Sequence, residues 1–323
     1  MSTGAAAAFH VGEQALQERV GVRERMAAVG PVVLRDHMPD QHREFFEKLP
    51  TLLLGALDGQ GQPWATMVAG MPGFVQTPDE RSMQIAVVPD AVDPVLAQLT
   101  QGSPVGALGL EPHTRRRNRM NGRVVAFGAH GLGVCVVQSF GNCPKYIQAR
   151  APGLRAEVTP PAPAQALGPG LDAAALALIA RSDTMFIASA SAAHPGGRRN
   201  EGVDVSHRGG EPGFVHAEHT AEGLVLSLPD YPGNLFFNTL GNLALHPQAG
   251  LLWVDYEESG LLHVAARAEL LWDEASRACW PGAQRVLRLH VQGGLWRANA
   301  LPWRWTTAEP APQFSAMRAR ATV

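Results

Sequence analysis

Cysteine is scarce in this sequence: Cys135, Cys143 and Cys279 are widely spaced, form no CxxC pair and leave an odd number for disulfide pairing. A disulfide framework is therefore not expected, and a reducing compartment fits best. Long apolar runs are missing as well. No stretch approaches the roughly 18 uninterrupted apolar residues of a membrane span. The opening "MSTGAAAAFHVGEQALQERVGV" has neither a basic leader nor a long apolar run. These absences predict a cytoplasmic protein with no membrane partner. An excess of one charge is lacking too, because the formal net charge is −2. No global field recruits nucleic acid or acidic lipid, so any anion site must be local. There is no HExxH motif, no Cys/His zinc spacing, no P-loop, no GxGxxG after a strand and no nucleophile elbow. Neither a metal site nor a hydrolase triad is expected.

What is present is a globular composition, 46% hydrophobic and 17% charged, in 323 residues. That length accommodates two domains of ordinary size, each with its own core. The tetrapeptide "PGFV" occurs at Pro72–Val75 and again at Pro212–Val215, an offset of 140. Around it the offset changes only at loops. "TLLLGA" at Thr51 and "TMFIAS" at Thr184 lie 133 apart, "VPD" ending at Asp90 and "LPD" ending at Asp230 lie 140 apart, and Gly106/Gly250 and Arg123/Arg267 lie 144 apart. The seven extra residues fall around the Gly-rich "HPGGRRNEG", where insertion is cheap.

Each copy shows an apolar run, a turn, an alternating run with PGFV, another strand, a helix-like stretch and more strands. A helical element, "PDQHREFFEKL" or "LDAAALALIARS", precedes each copy. A repeat of about 130 residues exceeds the roughly 50 of solenoids. The expected fold is therefore mainly β with flanking helices, as two tandem small antiparallel barrels packed like a covalently fixed dimer. The predicted organisation is a helical extension over 1–34, a first barrel over 35–156, a Pro/Gly/Ala linker over 157–170 ("EVTPPAPAQALGPG") and a second barrel over 171–323.

Duplicated domains that differ at a few polar positions have divided the work, so the differences point to the site. Where the first copy has "ATMVAGMPGFV", the second has "VDVSHRGGEPGFV", whose alternation sets Asp204, Ser206 and Arg208 on one face. A hydroxyl beside a guanidinium on a rigid strand makes a phosphate cradle; an Asp/Arg pair on a solvated edge is the plainer reading. "PDYPGNLFFNTLGNLALHP" supplies Asn234, Asn238, Thr239 and Asn242 among glycines that let backbone N–H groups approach a ligand, although Asn and Gly also cap helices and form turns. In the first copy, "RRRNRMNGR" sets Arg115, Arg117, Arg119, Asn121 and Arg123 at alternate positions, a cationic face for a phosphate or carboxylate, or a solvated edge that blocks aggregation. Without interleaved aromatics it does not read as a nucleic-acid site. In "SFGNCPKYIQ", Cys143, Lys145 and Tyr146 could form a ligand wall, while a lone Cys is commonly a small core residue.

These motifs, "GVDVSHRGGEPGFV", "LPDYPGNLFFNTLGNLALHPQAGLLWVDY", "RRRNRMNGRV" and "SFGNCPKYIQ", closely resemble the pyridoxamine 5′-phosphate oxidase-like FMN-binding split-barrel proteins. In particular they resemble a tandem bacterial branch, some of whose members are fused to a ferredoxin-type module. The likeness runs from about Phe9 to Trp305. It implies split barrels, FMN at their interface and flavin redox chemistry. It further implies cofactor binding by Ser206, His207, Arg208, Asn234, Asn238, Thr239 and Asn242, with Arg117 and Arg119 across the interface. Two departures qualify the likeness: a CxxxxCxxC iron–sulfur pattern is missing, so an electron-transfer partner is expected to be separate, and no pyridoxal-phosphate signature is evident, so vitamin B6 oxidation is not implied.

The expected function is that of an FMN-dependent oxidoreductase acting on a small molecule, with Cys143, Lys145 and Tyr146 as candidate catalytic residues over the flavin ring. The alternatives are a flavin- or haem-binding sensor or carrier without turnover, and a deazaflavin-dependent reductase. A tandem chain could be self-sufficient or could pair again as a homodimer.

Overall fold

The alternation of Leu52, Leu54 and Ala56 with Leu53 in "TLLLGAL" makes a strand that is apolar on both faces, and such a strand must be covered on both. In the computed structural model, which describes residues 7–157 and 162–315, that requirement organises the chain. It is mainly β, with two large antiparallel sheets and few helices.

The strands in chain order are β1 Thr51–Leu57, β2 Pro63–Ala69, β3 Val75–Asp79, β4 Ser82–Ile85, β5 Pro104–Glu111, β6 Arg116–Gly128, β7 Gly131–Gly141, β8 Pro152–Leu154, β9 Gln165–Leu167, β10 Thr184–Ala190, β11 Val203–Gly209, β12 His216–Thr220, β13 Gly223–Asp230, β14 Gln248–Val254, β15 Leu261–Leu271, β16 Arg285–Arg297 and β17 Trp303–Trp305. The helices are α1 Val11–Arg19, α2 Arg23–Val33, α3 Asp40–Glu47, α4 Ala173–Arg181, α5 Asn238–Leu245 and α6 Glu274–Arg277.

The first sheet has the order β2-β1-β5-β6-β7-β4-β3 and the second β11-β10-β14-β15-β16-β13-β12. These are one order written twice, strand for strand. The registers repeat as well: Gly55 pairs with Ala65 and Gly106, as Ala188 pairs with Val205 and Gly250. The repeat found in the sequence is therefore a repeat of sheet topology. Within the expected linker, Gln165–Leu167 forms a strand on β16, while residues 158–161 lie outside the described residues.

Each half has its own core on one face of its sheet. Leu52, Leu54, Val105 and Ala107 pack with Phe45 and Phe46 of α3 in the first half; Met185, Ile187, Leu251 and Trp253 pack with Leu178 and Ile179 of α4 in the second. The opposite faces share a third cluster, in which Leu53, Met67, Leu108 and Ile147 meet Phe186, Val205, Leu252 and Leu261. At roughly 1.5–3 kcal/mol for each large apolar side chain fully buried, this seam is a major source of cohesion between the halves.

Contacts across the seam are reciprocal. Edge strand β11 lies over β1, β5 and β6, and edge strand β2 lies over β10, β14 and β15. Two glycines permit this approach. A Cβ at Gly106 would sit 2.5 Å from the Val203 carbonyl oxygen, and one at Gly250 would sit 2.2 Å from that of Pro63.

Two sequence expectations need correction. In the first half "PDAVDPVLAQ" forms turns rather than the helix that α5 makes in the second; the Asp93 carboxylate takes the N–H groups of Val95 and Leu96 and closes a single turn. Arg115 is not on the cationic strand face, because it leaves a 3-10 turn in the left-handed conformation (φ 55°) and β6 starts at Arg116. Among the described residues, no helix is long and apolar enough to cross a membrane.

Candidate functional site

Where β11 meets β6 the apolar seam gives way to a cleft. Its walls come from the end of β11, the start of β6, the segment after β7, and the loop leading into α5. The structure thereby brings together Arg117, Arg119, Cys143, Lys145, Tyr146, Ser206, His207, Arg208, Asn234, Asn238 and Thr239. Asn242 is not in the cleft. One turn further along α5, it donates to Ser189 Oγ (3.1 Å) and Asp204 Oδ2 (2.9 Å) beneath it.

The cross-seam contacts set the geometry. Arg119 is buried; its Nη1 donates to Asp204 Oδ1 at 3.0 Å and its Nη2 to Ser206 Oγ. Ser206 Oγ also accepts from Thr239 Oγ1 at 2.7 Å, which leaves the serine's own O–H as a donor. Arg117 Nε donates to the Cys143 carbonyl at 2.8 Å, fixing the segment that carries Lys145 and Tyr146. Its Nη1 lies 3.1 Å from His207 Nδ1. A guanidinium only donates, so Nδ1 is the acceptor and the ring proton is on Nε2, where no partner among the described residues meets it.

The charge on these walls is one-sided. Arg117, Lys145, Arg208 and Arg285 face the cleft against Asp230, the one carboxylate among its described lining residues, while Arg119 is paired with Asp204 beneath it. Asp230 Oδ1 takes Arg208 Nη1, and Oδ2 stands 3.1 Å from Arg285 Nε without hydrogen-bond geometry. Arg119 Nε, Arg208 Nε and Arg285 Nη1 are buried without acceptors among the described residues. Burial, then the neighbouring Arg119, lowers the Arg117 pKa to about 10. Burial, with Arg117, Arg150 and Arg208 nearby, pushes His207 well below the usual imidazole range. Tyr146 is raised to about 12, chiefly by burial.

The backbone adds donors. Phe237 precedes α5 with φ 65° and no side-chain cap, so the first N–H groups of the helix open where Asn238, Thr239 and Leu240 line the cleft. Leu235 (φ 66°), Phe237 and Tyr146 (φ 66°) are all left-handed, at about 1–3 kcal/mol of strain each. The first two are held by α1: Gln17 Nε2 donates to the Phe236 carbonyl at 3.2 Å, and Glu13 Oε1 accepts from Asn238 Nδ2 at 2.6 Å. Tyr146 stacks on Tyr231 (5.3 Å between centroids) and donates to the Pro232 carbonyl at 3.1 Å.

Sequence reasoning missed Glu13, Tyr231 and Arg285. Glu13 is an acid in the first turn of α1 with no local pattern to mark it. Arg285 reaches the site because its strand pairs it with Asp230, a register that no local pattern reveals.

The sequence matches no family model and no curated protein. Among solved structures the chain is similar to the heme storage protein HutZ from Vibrio cholerae, at 13% identity and a TM-score of 0.26 over 39% of this chain and 92% of that one. It is also similar to an FAD-binding protein from Mesorhizobium loti, at 13% identity and a TM-score of 0.27 over 42% of this chain and 99% of that one.

Proposed function

We propose that the chain is a tandem split-barrel flavoprotein of the pyridoxamine 5′-phosphate oxidase-like type, with barrels over 35–156 and 171–323, that holds FMN in the cleft between them and acts as an oxidoreductase. The observation that carries this reading is the cationic surplus: with Arg119 neutralised by Asp204, three guanidinium groups and Lys145 remain against Asp230, and buried guanidinium nitrogens lack acceptors among the described residues. A buried donor without an acceptor costs about 1–3 kcal/mol, and a phosphate with the polar edge of a flavin supplies acceptors to such donors.

Arg208, Arg285, the open end of α5 and the Ser206 hydroxyl would hold the phosphate. Arg117, the His207 Nε2–H and the Cys143–Tyr146 segment would meet the ring. Bound flavin supplies the hydride or electron chemistry, which accounts for the lack of an acid–base pair among the cleft residues. The protein then orients the ring, excludes water with Tyr146 and Tyr231, and surrounds it with positive charge that favours an anionic reduced form. A small-molecule substrate, or a separate electron-transfer partner, would meet the ring at the cleft mouth.

The His207 tautomer weighs against that residue as a haem ligand, because its unpartnered nitrogen carries a proton and offers no lone pair to iron. The absorbance spectrum of the purified protein, before and after FMN addition and desalting, tests the proposal. A retained flavin spectrum is expected, and a protein that stays colourless contradicts it. NADH and NADPH oxidation assays then separate an enzyme from a carrier, and the mass of the released chromophore separates FMN from a deazaflavin.

A further inference from the structure

A chain built from two copies of one sheet, packed reciprocally, has two equivalent places where an edge strand of one half meets the inner strands of the other. One is the cleft. The registers identify the other: Thr66, Met67 and Val68 on β2 stand where Ser206, His207 and Arg208 stand on β11, and Leu261 and His263 on β15 stand where Arg117 and Arg119 stand on β6.

We infer that this mate of the cleft is sealed and that the chain binds a single flavin nucleotide, an inference that rests on the FMN reading above. Three observations carry it. First, the polar Arg117–His207 contact is replaced by Met67 and Leu261, both buried in the apolar seam cluster together with Leu301 from the segment after β16. Second, the charge is reversed. A cation beside the mate, Arg297 on β16 opposite Leu261, is taken up by two carboxylates: Nη2 lies 2.6 Å from Asp90 Oδ2, and Nη1 binds Asp93 Oδ2, which also accepts from Thr66 Oγ1 at 2.5 Å.

His263 adds no charge there. It is wholly buried, donates from Nδ1 to the Ala65 carbonyl at 2.8 Å, and is lowered to about 4 by that burial. An anion arriving at the mate would face a surplus of carboxylate, where the cleft offers a surplus of guanidinium. Third, the helix whose N–H groups open into the cleft has no counterpart, because the Asp93 carboxylate itself takes the N–H groups of Val95 and Leu96. The second binding place of the duplicated fold has thus become a buried fastening between the halves, and the duplication leaves one site built from both halves.

The test is a titration of the full-length chain with FMN, followed by flavin fluorescence or calorimetry at chain concentrations well above Kd. Three variants accompany it. Arg117→Leu with His207→Met transplants the mate's pair into the cleft, Arg208→Ala covers the case in which the transplant does not fold, and Thr66→Val alters the mate. The expected result is one FMN per chain. In the transplant, Kd should rise by on the order of 100-fold or more with the far-UV spectrum retained. In Arg208→Ala it should rise by roughly 10-fold or more, and in Thr66→Val it should not change.

Two FMN per chain would overturn the inference and leave the flavin reading standing. One FMN whose affinity responds to Thr66→Val but not to Arg208→Ala would place the ligand in the mate and overturn it equally. Absence of any binding would overturn the flavin reading and this inference with it.

Discussion

Arg119 Nη1 on β6 and Asp204 Oδ1 on β11 stand 3.0 Å apart across the seam, both side chains buried. Removing one partner of a buried pair leaves the other charged and uncompensated, which costs about 3–5 kcal/mol. Arg119→Ala should therefore lower stability to urea by about that amount, although Asn121 and Asn242 still donate to Asp204. A double variant, Arg119→Met with Asp204→Leu, should recover part of the loss. A single variant as stable as the parent protein would show that the pair does not fasten the halves.

The reciprocal glycines make a second prediction. Gly106→Ala and Gly250→Ala each drive a methyl into a facing carbonyl oxygen, whereas a Cβ at Gly59 meets nothing within 4 Å. Overpacking of this kind costs about 1–3 kcal/mol. Thermal melts should show both seam variants well below Gly59→Ala, and equal melting temperatures would mean that the seam yields easily.

Acid should weaken the fold through its buried imidazoles. His207 is held well below the ordinary value, and His42 and His263 are lowered to about 4, with burial the first cause in each. From pH 6.5 downward the unfolded chain takes up protons that the folded chain refuses, so stability rises with pH across this window. The slope is up to about 1.4 kcal/mol per pH unit for each such group. Urea titrations between pH 7 and pH 4.5 should show falling stability, with a shallower slope in His263→Gln. Stability that is flat or rises on acidification would contradict the assignment.

Glu13 acts in the opposite sense. Burial, with Asp204 nearby, raises its carboxyl well above the ordinary range. The folded chain therefore holds a proton that the unfolded chain releases above about pH 4.5, and its contribution is lost as pH rises through the folded value. Glu13→Gln removes that loss. The stability of the variant relative to the parent should grow from pH 4.5 to pH 8, and a constant difference would mean that Glu13 is ionised throughout.

Much of the fold could be read from offsets in the sequence because a strand buried on both faces leaves a continuous apolar signature, and "TLLLGA" and "TMFIAS" both carry it. The lining of the cleft was legible where strand alternation alone places side chains, as for Arg117, Arg119, Ser206 and Arg208. It was not legible where the partner is remote. Arg285 enters the cleft through a pairing with Asp230 across 55 residues, and Glu13 reaches Asn238 behind it through a helix that crosses α5 at Gly12 and Gly241. Asn242 shares a helix face with Asn238 and Thr239 but lies one turn, about 5.4 Å, further along the axis, which carries it past the cleft to Asp204. The turn at Asp93 escaped notice because its cause, a carboxylate closing on its own following N–H groups while holding Arg297, joins a local effect to a partner about 200 residues away.

The measurement that bears most directly on the account compares FMN with riboflavin, which differ by the phosphate alone, in equilibrium titrations of the parent protein and Arg208→Ala. A charge-assisted phosphate contact contributes about 1.5–3 kcal/mol, so FMN should bind the parent at least roughly tenfold more tightly than riboflavin. That preference should shrink in the variant. Equal affinity for the two flavins in the parent, or an undiminished preference in Arg208→Ala, would contradict the claim that this cationic cleft grips a flavin by its phosphate.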